Sequence, residues 1–454
     1  MEKIKEFISK NKINILFLAS AILFGFIFAF IEIVADDATN INLIGGTIKE
    51  QIKFNLATYQ NWTSRILVNT VWSIALGKGP AGFAAFMGLS EFFLLKGLYS
   101  LFGRKESLTD AVFVILLTLL LPFRFLNTAG WVATMGTYFS TNAFAVYGLV
   151  PIKKIYNGEG FHPIEFILYA LALIYAGNFE QTCMMLLFLY GVFFVYSIFA
   201  KKIRWETFVY LGINVASLIF ILTCPGNWGR KADEYALFPT YRMLGFVDKV
   251  ELATTLSLKW IFIDAIPVIL LTMGLIAFVA MKKRGVGLQS FIASVPFVML
   301  LALGPVKAVV YPLFPTFTRL NETINQYGAI NPEQQGSGLG AFQFYTYLLL
   351  TLCMLVGLIV VNDRIENFVC DLALSVIGVG TGVMMGFSPS IYASGERTFA
   401  TLTTCIMLIC AHLYALNRDA IVTEKNHSRL GFVMMTVIAV SYINLAVLVL
   451  TFSA

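Results

Sequence analysis

Long apolar runs alternate with short polar connections along almost the whole chain. A helix needs about 20 apolar residues to cross the hydrocarbon core of a bilayer. The runs therefore predict about 13 transmembrane helices and an all-α, polytopic integral membrane protein. The predicted spans are 13–34, 81–102, 108–126, 131–150, 163–176, 181–200, 208–223, 258–281, 291–314, 342–361, 368–387, 399–416 and 430–452.

The composition agrees with this pattern. Of the 454 residues, 58% are hydrophobic and only 13% are charged, whereas an ordinary soluble domain has about 25% charged residues. A water-soluble fold of this size is excluded, so we expect a single transmembrane domain over residues 1–454 with no soluble domain. The net charge of +6 does not indicate nucleic acid, because the basic residues form short clusters between apolar runs.

The basic clusters also predict the orientation. With a cytoplasmic N-terminus and alternating spans, the clusters all fall on the cytoplasmic side, as the positive-inside rule requires. The Lys-, Ile- and Asn-rich sequence indicates a bacterial protein, so we expect a multi-pass protein of the cell membrane. Its C-terminus and three long loops are then external: 35–80, 224–257 and 315–341.

The first external loop contains an apolar segment, 66–75, that is too short to span. Leu67, Val71 and Ile74 recur at helical spacing, which predicts an amphipathic helix at the outer interface. The alternative is that this segment is the outer end of a long second span.

An acidic pair, Asp36-Asp37, directly follows the first span, and Glu32 lies about one turn earlier. Carboxylates near hydrocarbon are costly and are usually functional where they occur. The pair is a candidate general base; the alternative is that it only solvates the end of the helix.

The same predicted face collects further polar residues at the membrane boundary. Arginine presents a planar fork that matches phosphate oxygens, while carboxylate, amide and aromatic groups bind sugar hydroxyls and ring faces. The candidate phosphate-binding residues are Arg65, Arg230, Arg397 and Lys307, the last of these after a kink expected at Gly304-Pro305. The candidate residues for the sugar or the acceptor are Trp62, Arg124, Asn178, Glu180, Gln181, Asn227 and Glu396.

These strings resemble the polytopic membrane glycosyltransferases of the GT-C fold, in particular the bacterial serotype-converting O-antigen glucosyltransferases and their relatives. The resemblance covers most of the chain in topology. Its motifs are Asp36-Asp37 after the first span, an amphipathic first loop with Trp62-x-Ser64-Arg65, Asn178-x-Glu180-Gln181, Pro225-Gly226-Asn227-x-x-Arg230 and Glu396-Arg397.

The resemblance implies an inverting transfer from a polyprenyl-phosphate sugar to a polysaccharide or glycolipid acceptor of the cell envelope. Asp36 or Asp37 would take the proton of the acceptor hydroxyl, and the arginines would stabilise the leaving phosphate. This chemistry requires no cofactor or metal, although the acidic cluster has the ligand type that could hold a divalent ion.

Two other function classes compete with this one. A secondary transporter or lipid-linked sugar flippase would have broken helices and ionisable residues near the midplane, and a non-catalytic assembly partner would have no cavity for the acidic pair. Of the charges inside spans, Glu91 and Lys96 are expected nearer the inner end. Lys259 and Asp264 are expected either to pair or to face the cavity.

Cysteine labelling of intact cells tests the predicted orientation. Cysteines placed near Gly45, Ala232 and Gln334 should react with an impermeant thiol reagent, and those near Gly158 and Val422 should not. Labelling at Gly158 from outside would place the acidic pair on the wrong side of the membrane.

Overall fold

The chain forms helices throughout the part that a computed structural model describes, which is residues 2–33, 37, 46–320 and 338–451. The helices in chain order are α1 Glu2–Ile27, α2 Ile48–Asn61, α3 Ile66–Leu76, α4 Pro80–Phe102, α5 Leu108–Leu119, α6 Trp131–Thr134, α7 Ser140–Gly148, α8 Val150–Tyr156, α9 Pro163–Ala176, α10 Glu180–Phe199, α11 Trp205–Leu222, α12 Gly226–Leu237, α13 Phe246–Phe262, α14 Pro267–Arg284, α15 Leu288–Leu303, α16 Lys307–Leu313, α17 Gly338–Val361, α18 Ile365–Met384, α19 Ile391–Ser394, α20 Ala400–Ile421 and α21 His427–Thr451.

The predicted multi-pass membrane protein is confirmed, with fewer spans than expected. Within the described ranges, nine helices are long and apolar enough to cross a membrane, or eleven if two bent helix pairs each count as one span. The predicted spans 131–150 and 163–176 account for the difference. The first is divided among α6, a π-helical segment over Met135–Phe139 and α7, and the second is the 14-residue helix α9.

The chain divides into two compact units. Unit 1 comprises Met1–Arg230 and Lys425–Ala454, and unit 2 comprises Lys231–Glu424. The core of unit 1 is built by α4, which packs against α1 and α7, while α7 also packs against α9 and α21 packs against α5. In unit 2, α14 packs against α15 and α20, and α18 packs against α20.

The connections at one end of unit 1 are joined by basic side chains. Arg204, before α11, donates a hydrogen bond to the backbone oxygen of Glu159 at 2.6 Å. Lys154 of α8 forms an ion pair with Glu165 of α9 at 2.6 Å. We call this end, which carries residues 153–165 and 200–206, the basic end of unit 1.

The segment 66–75 is a helix of its own. α3 is separated from α4 by a turn at Gly77-Lys78-Gly79, and it buries Val68, Trp72 and Leu76. It therefore does not continue α4, and the prediction that it lies at the interface stays a prediction.

Unit 2 contains the two bent pairs. α13 and α14 meet at 69°, and α15 and α16 meet at 92°, which confirms the kink predicted at Gly304-Pro305. The two bends touch, because a Cβ on Gly304 would lie 2.2 Å from the Cβ of Ala265. Lys259 and Asp264 form an ion pair of 2.9 Å beside the first bend, so the pairing alternative is confirmed.

Candidate functional site

An ion pair between Arg65 and Glu180 lies at the end of unit 1 opposite the basic end. Arg65 stands between α2 and α3, and Glu180 is the first residue of α10. The Nε of Arg65 donates to Glu180 Oε2 at 2.8 Å, and the two side chains are only 21% and 24% exposed. We call this end, with residues 62–68, 178–181 and 224–230, the site end.

Asn178 fixes the backbone around this ion pair. Its Oδ1 accepts hydrogen bonds from the backbone N–H groups of Leu67 (2.8 Å) and Val68 (3.2 Å), and its Nδ2 donates to the oxygen of Ser64 at 3.1 Å. The first N–H groups of a helix have no partner within the helix. Asn178 therefore caps α3 from a distant part of the chain and holds Arg65 against α10.

Two aromatic residues complete the surroundings of Arg65. Its guanidinium lies 4.7 Å from the centre of the Phe179 ring, a cation–π distance, and it donates a hydrogen bond to the hydroxyl of Tyr138. Burial disfavours the charged guanidinium, but Glu180 and Tyr138 outweigh this effect and raise the pKa of Arg65 above its ordinary value. Arg65 is thus a fixed positive charge.

Asp37 is fully buried at the start of α6. Its Oδ2 accepts the N–H of Val132 and its Oδ1 accepts the N–H of Ala133, both at 2.8 Å. Because the N-cap residue of α6 is Gly130, which has no side chain for capping, Asp37 supplies the cap, and its charge also suits a helix N-terminus. Asp36 lies outside the described residues.

A single stretch of helix connects Asp37 with Arg65. It begins at the residues capped by Asp37 and continues into the π-helical segment. That segment contains Tyr138, whose hydroxyl accepts the hydrogen bond from Arg65. π-helical turns inside α-helices are frequent at functional sites. Ser140 stabilises this turn by donating to the oxygen of Gly136 at 2.5 Å, and the hydroxyl of Tyr175 lies 2.7 Å from Ser140 Oγ.

A second cluster at the site end involves the loop after α11. The thiol of Cys224 donates to the oxygen of Tyr59 at 3.2 Å, and this contact ties the loop to the end of α2. The guanidinium of Arg230 lies 5.4 Å from the centre of the Trp62 ring, which is half-exposed. Asn227 donates to the oxygen of Ile221 at 3.0 Å, and this bond satisfies the C-terminal end of α11.

The remaining candidates are Arg124 and Gln181 in unit 1 and three residues of unit 2. Arg124 is exposed and lies over the ring of Phe125, with 4.4 Å from its guanidinium to the ring centre. Gln181 is buried in the first turn of α10. Glu396, Arg397 and Lys307 belong to unit 2, where Lys307 begins α16 and Glu396 and Arg397 lie in a 3-10 turn after Gly395.

Sequence reasoning missed Tyr138 as a partner of Arg65. Tyr138 lies in an apolar run that predicts an ordinary span, and nothing in that run signals a π-helical turn or a neighbour 73 positions earlier in the chain. A buried Tyr usually needs a partner for its hydroxyl, which was the only available signal.

The described residues contain no cluster of three or more His, Cys, Asp or Glu side chains that could hold a metal ion. Comparisons with protein-family models, with curated proteins and with solved structures gave no match.

Removing one partner of the Arg65–Glu180 pair should destabilise the protein more than removing both. Glu180→Gln leaves Arg65 charged and half-buried, and we expect a loss of about 2 kcal/mol in the free energy of unfolding, between the values for exposed and buried pairs. Arg65→Gln combined with Glu180→Gln should recover part of this loss.

Unfolding in mixed micelles measures these effects, with Asp363→Asn as the control. Asp363 pairs with Lys283 at 2.6 Å but is 75% exposed, so its loss should have almost no effect. If Glu180→Gln costs as little as Asp363→Asn, the ion pair does not hold the site end together.

Proposed function

We propose that the chain is a membrane glycosyltransferase. It transfers a sugar from a polyprenyl-phosphate donor to a polysaccharide or glycolipid of the cell envelope, with inversion, at the outer face of the cell membrane. The observation that carries this proposal is the site end of unit 1. There, one short helical stretch connects a buried carboxylate, Asp37, with a fixed guanidinium, Arg65.

The site end offers the groups that a lipid-phosphate sugar needs. Arg65 and Arg230 can place planar N–H forks on phosphate oxygens, while Trp62 presents a half-exposed ring beside Arg230. A bilayer holds such a donor in two dimensions with its head group at the surface, which lowers the entropic cost of the encounter. Arg397 and Lys307, which belong to unit 2, remain phosphate-binding candidates from the sequence alone.

The contacts of Asp37 favour a positioning role for this residue. Both oxygens of Asp37 accept backbone N–H groups, so its carboxylate orients α6 and the π-helical turn behind it. The proposal therefore gives the general base to Asp36 and a positioning role to Asp37. The base takes the acceptor proton as the new glycosidic bond forms, and the arginines stabilise the phosphate that leaves.

Substitution of each aspartate by asparagine distinguishes the two roles. Asp36→Asn should reduce the turnover number by roughly 100-fold or more, in the range for loss of a general base, with no change in unfolding. Asp37→Asn should lower the free energy of unfolding by about 1 kcal/mol, because an asparagine has one acceptor oxygen for two N–H donors.

The assay is release of labelled sugar from polyprenyl-phosphate sugars by the purified chain in vesicles, with Asp233→Asn, an exposed carboxylate, as the control. If a folded Asp36→Asn variant keeps full activity, Asp36 is not the general base, and Glu180 or Glu396 would be the next candidates.

A second candidate is a secondary transporter or lipid-linked sugar flippase. Transporters bind substrates at helices that are broken within the membrane, and the two touching bends of unit 2 favour this reading. The same vesicles distinguish the two functions, because a flippase moves the labelled lipid between leaflets and leaves the sugar–phosphate bond intact.

A further inference from the structure

A carboxyl group lies near the middle of unit 1, away from the proposed site. Glu91 is the twelfth of the 23 residues of α4, and its side chain is fully buried. This differs from the expected position nearer the inner end. An ionisable residue at this depth is costly and is a candidate functional group.

Three spans meet at Glu91. Ser20 of α1 donates a hydrogen bond from Oγ to Glu91 Oε1 at 2.9 Å. The hydroxyl of Tyr442 in α21 lies 2.6 Å from Ser20 Oγ and 3.2 Å from the backbone oxygen of Ser20. Since the one hydroxyl proton of Ser20 is donated to Glu91, the hydroxyl proton of Tyr442 is shared between Ser20 Oγ and the backbone oxygen of Ser20.

The second oxygen of Glu91 is different. Among the side chains that the structure describes, Glu91 Oε2 is buried and has no hydrogen-bond partner. Among the described side chains, no other titratable or charged group of the surrounding helices pairs with Glu91 or donates to it. These groups are Lys12 of α1, Lys96 and Tyr99 of α4, Asp110 of α5, Tyr147 of α7, Lys153, Lys154 and Tyr156 of α8, and His427 and Arg429 of α21. Lys96, for example, donates to Asn14 at 2.8 Å.

An ionised Glu91 would therefore be a negative charge buried among apolar helices with one neutral donor. The desolvation of such a charge costs far more than one hydrogen bond returns. A proton on Oε2 removes the charge and leaves only a neutral O–H without a partner, which costs much less than an unpaired buried charge.

A metal cation does not fit these groups. It would need several converging oxygen ligands, but the oxygens of Ser20 and Tyr442 already bond to each other and only Oε2 has no partner. Space is also lacking, because α1 and α4 cross so closely that a Cβ on Gly88 would lie 2.7 Å from the oxygen of Ala21.

We propose that Glu91 is a proton-binding site at mid-membrane, and that its neutral carboxyl group, with Ser20 and Tyr442, fastens α21 to α1 and α4. Binding adds one proton to the carboxylate and requires no other reactant. The inference does not depend on glycosyl transfer.

Infrared spectroscopy of the full chain in lipid nanodiscs tests this site. At neutral pH, the wild type should show the C=O stretching band of a protonated carboxylic acid, and Glu91→Gln should lack it. Glu366→Gln is the matched control, because Glu366 is exposed at the start of α18 and its loss should change only carboxylate bands. The same acid band in wild type and Glu91→Gln would overturn the proposal, as would loss of the wild-type band on adding sodium or potassium.

Ser20→Ala provides an independent test that does not need a folded Glu91→Gln. It removes the hydroxyl that donates to Oε1, so the acid band should move to higher frequency. An acid band that is unchanged in Ser20→Ala would show that the protonated group is not Glu91.

Discussion

The Arg65–Glu180 ion pair is the interaction on which the site end of unit 1 depends. It joins the segment between α2 and α3 to the first turn of α10, and Asn178, two residues before Glu180, caps α3 at the same place. Tyr138 connects the pair to the π-helical segment, and Asp37 holds the start of that segment. One half-buried charge pair thus fixes the relative positions of four chain segments that are distant in sequence.

In unit 1, the partners of a charged or ionisable side chain depend on whether it lies at an end or near the middle. At the two ends, arginines, lysines and carboxylates pair with each other or with backbone groups, as Arg65 does at one end and Lys154 at the other. Near the middle, Glu91 has a single hydroxyl donor. This difference follows from the lack of water in the hydrocarbon core, where a charge without a partner is not tolerated.

Much of the fold could be predicted from the sequence, because the length and hydrophobicity of a span are local properties. The helical class, most of the spans, the kink at Gly304 and the alternative of a Lys259–Asp264 pair all came from local patterns. The structure of residues 131–150 could not be predicted, because a π-helical turn depends on partners that are distant in sequence. One of these is Trp72, whose ring lies so close to Gly136 that it would contact a Cβ there. Apolar content alone does not reveal such a break.

The site was predictable as a set of residue types and not as a geometry. Arg65, Asn178 and Glu180 were grouped because their connections fall on one side, and they do lie together. The sequence could not separate Asp37 from Asp36, because only the fold brings Asp37 to the N–H groups of Val132 and Ala133. Arg124, which the sequence also grouped with the site, lies over Phe125, and its role in the site stays a prediction.

The central claim is that the site end receives a lipid-linked phosphate. Photocrosslinking tests it most directly, with a polyprenyl phosphate that carries a photoactivatable group next to the phosphate and the purified chain in vesicles. The account predicts crosslinked peptides that contain residues 62–68, 178–181 or 224–230, and competition by unlabelled polyprenyl phosphate. Crosslinks confined to residues 153–165 and 200–206 at the basic end, or no competition, would contradict it.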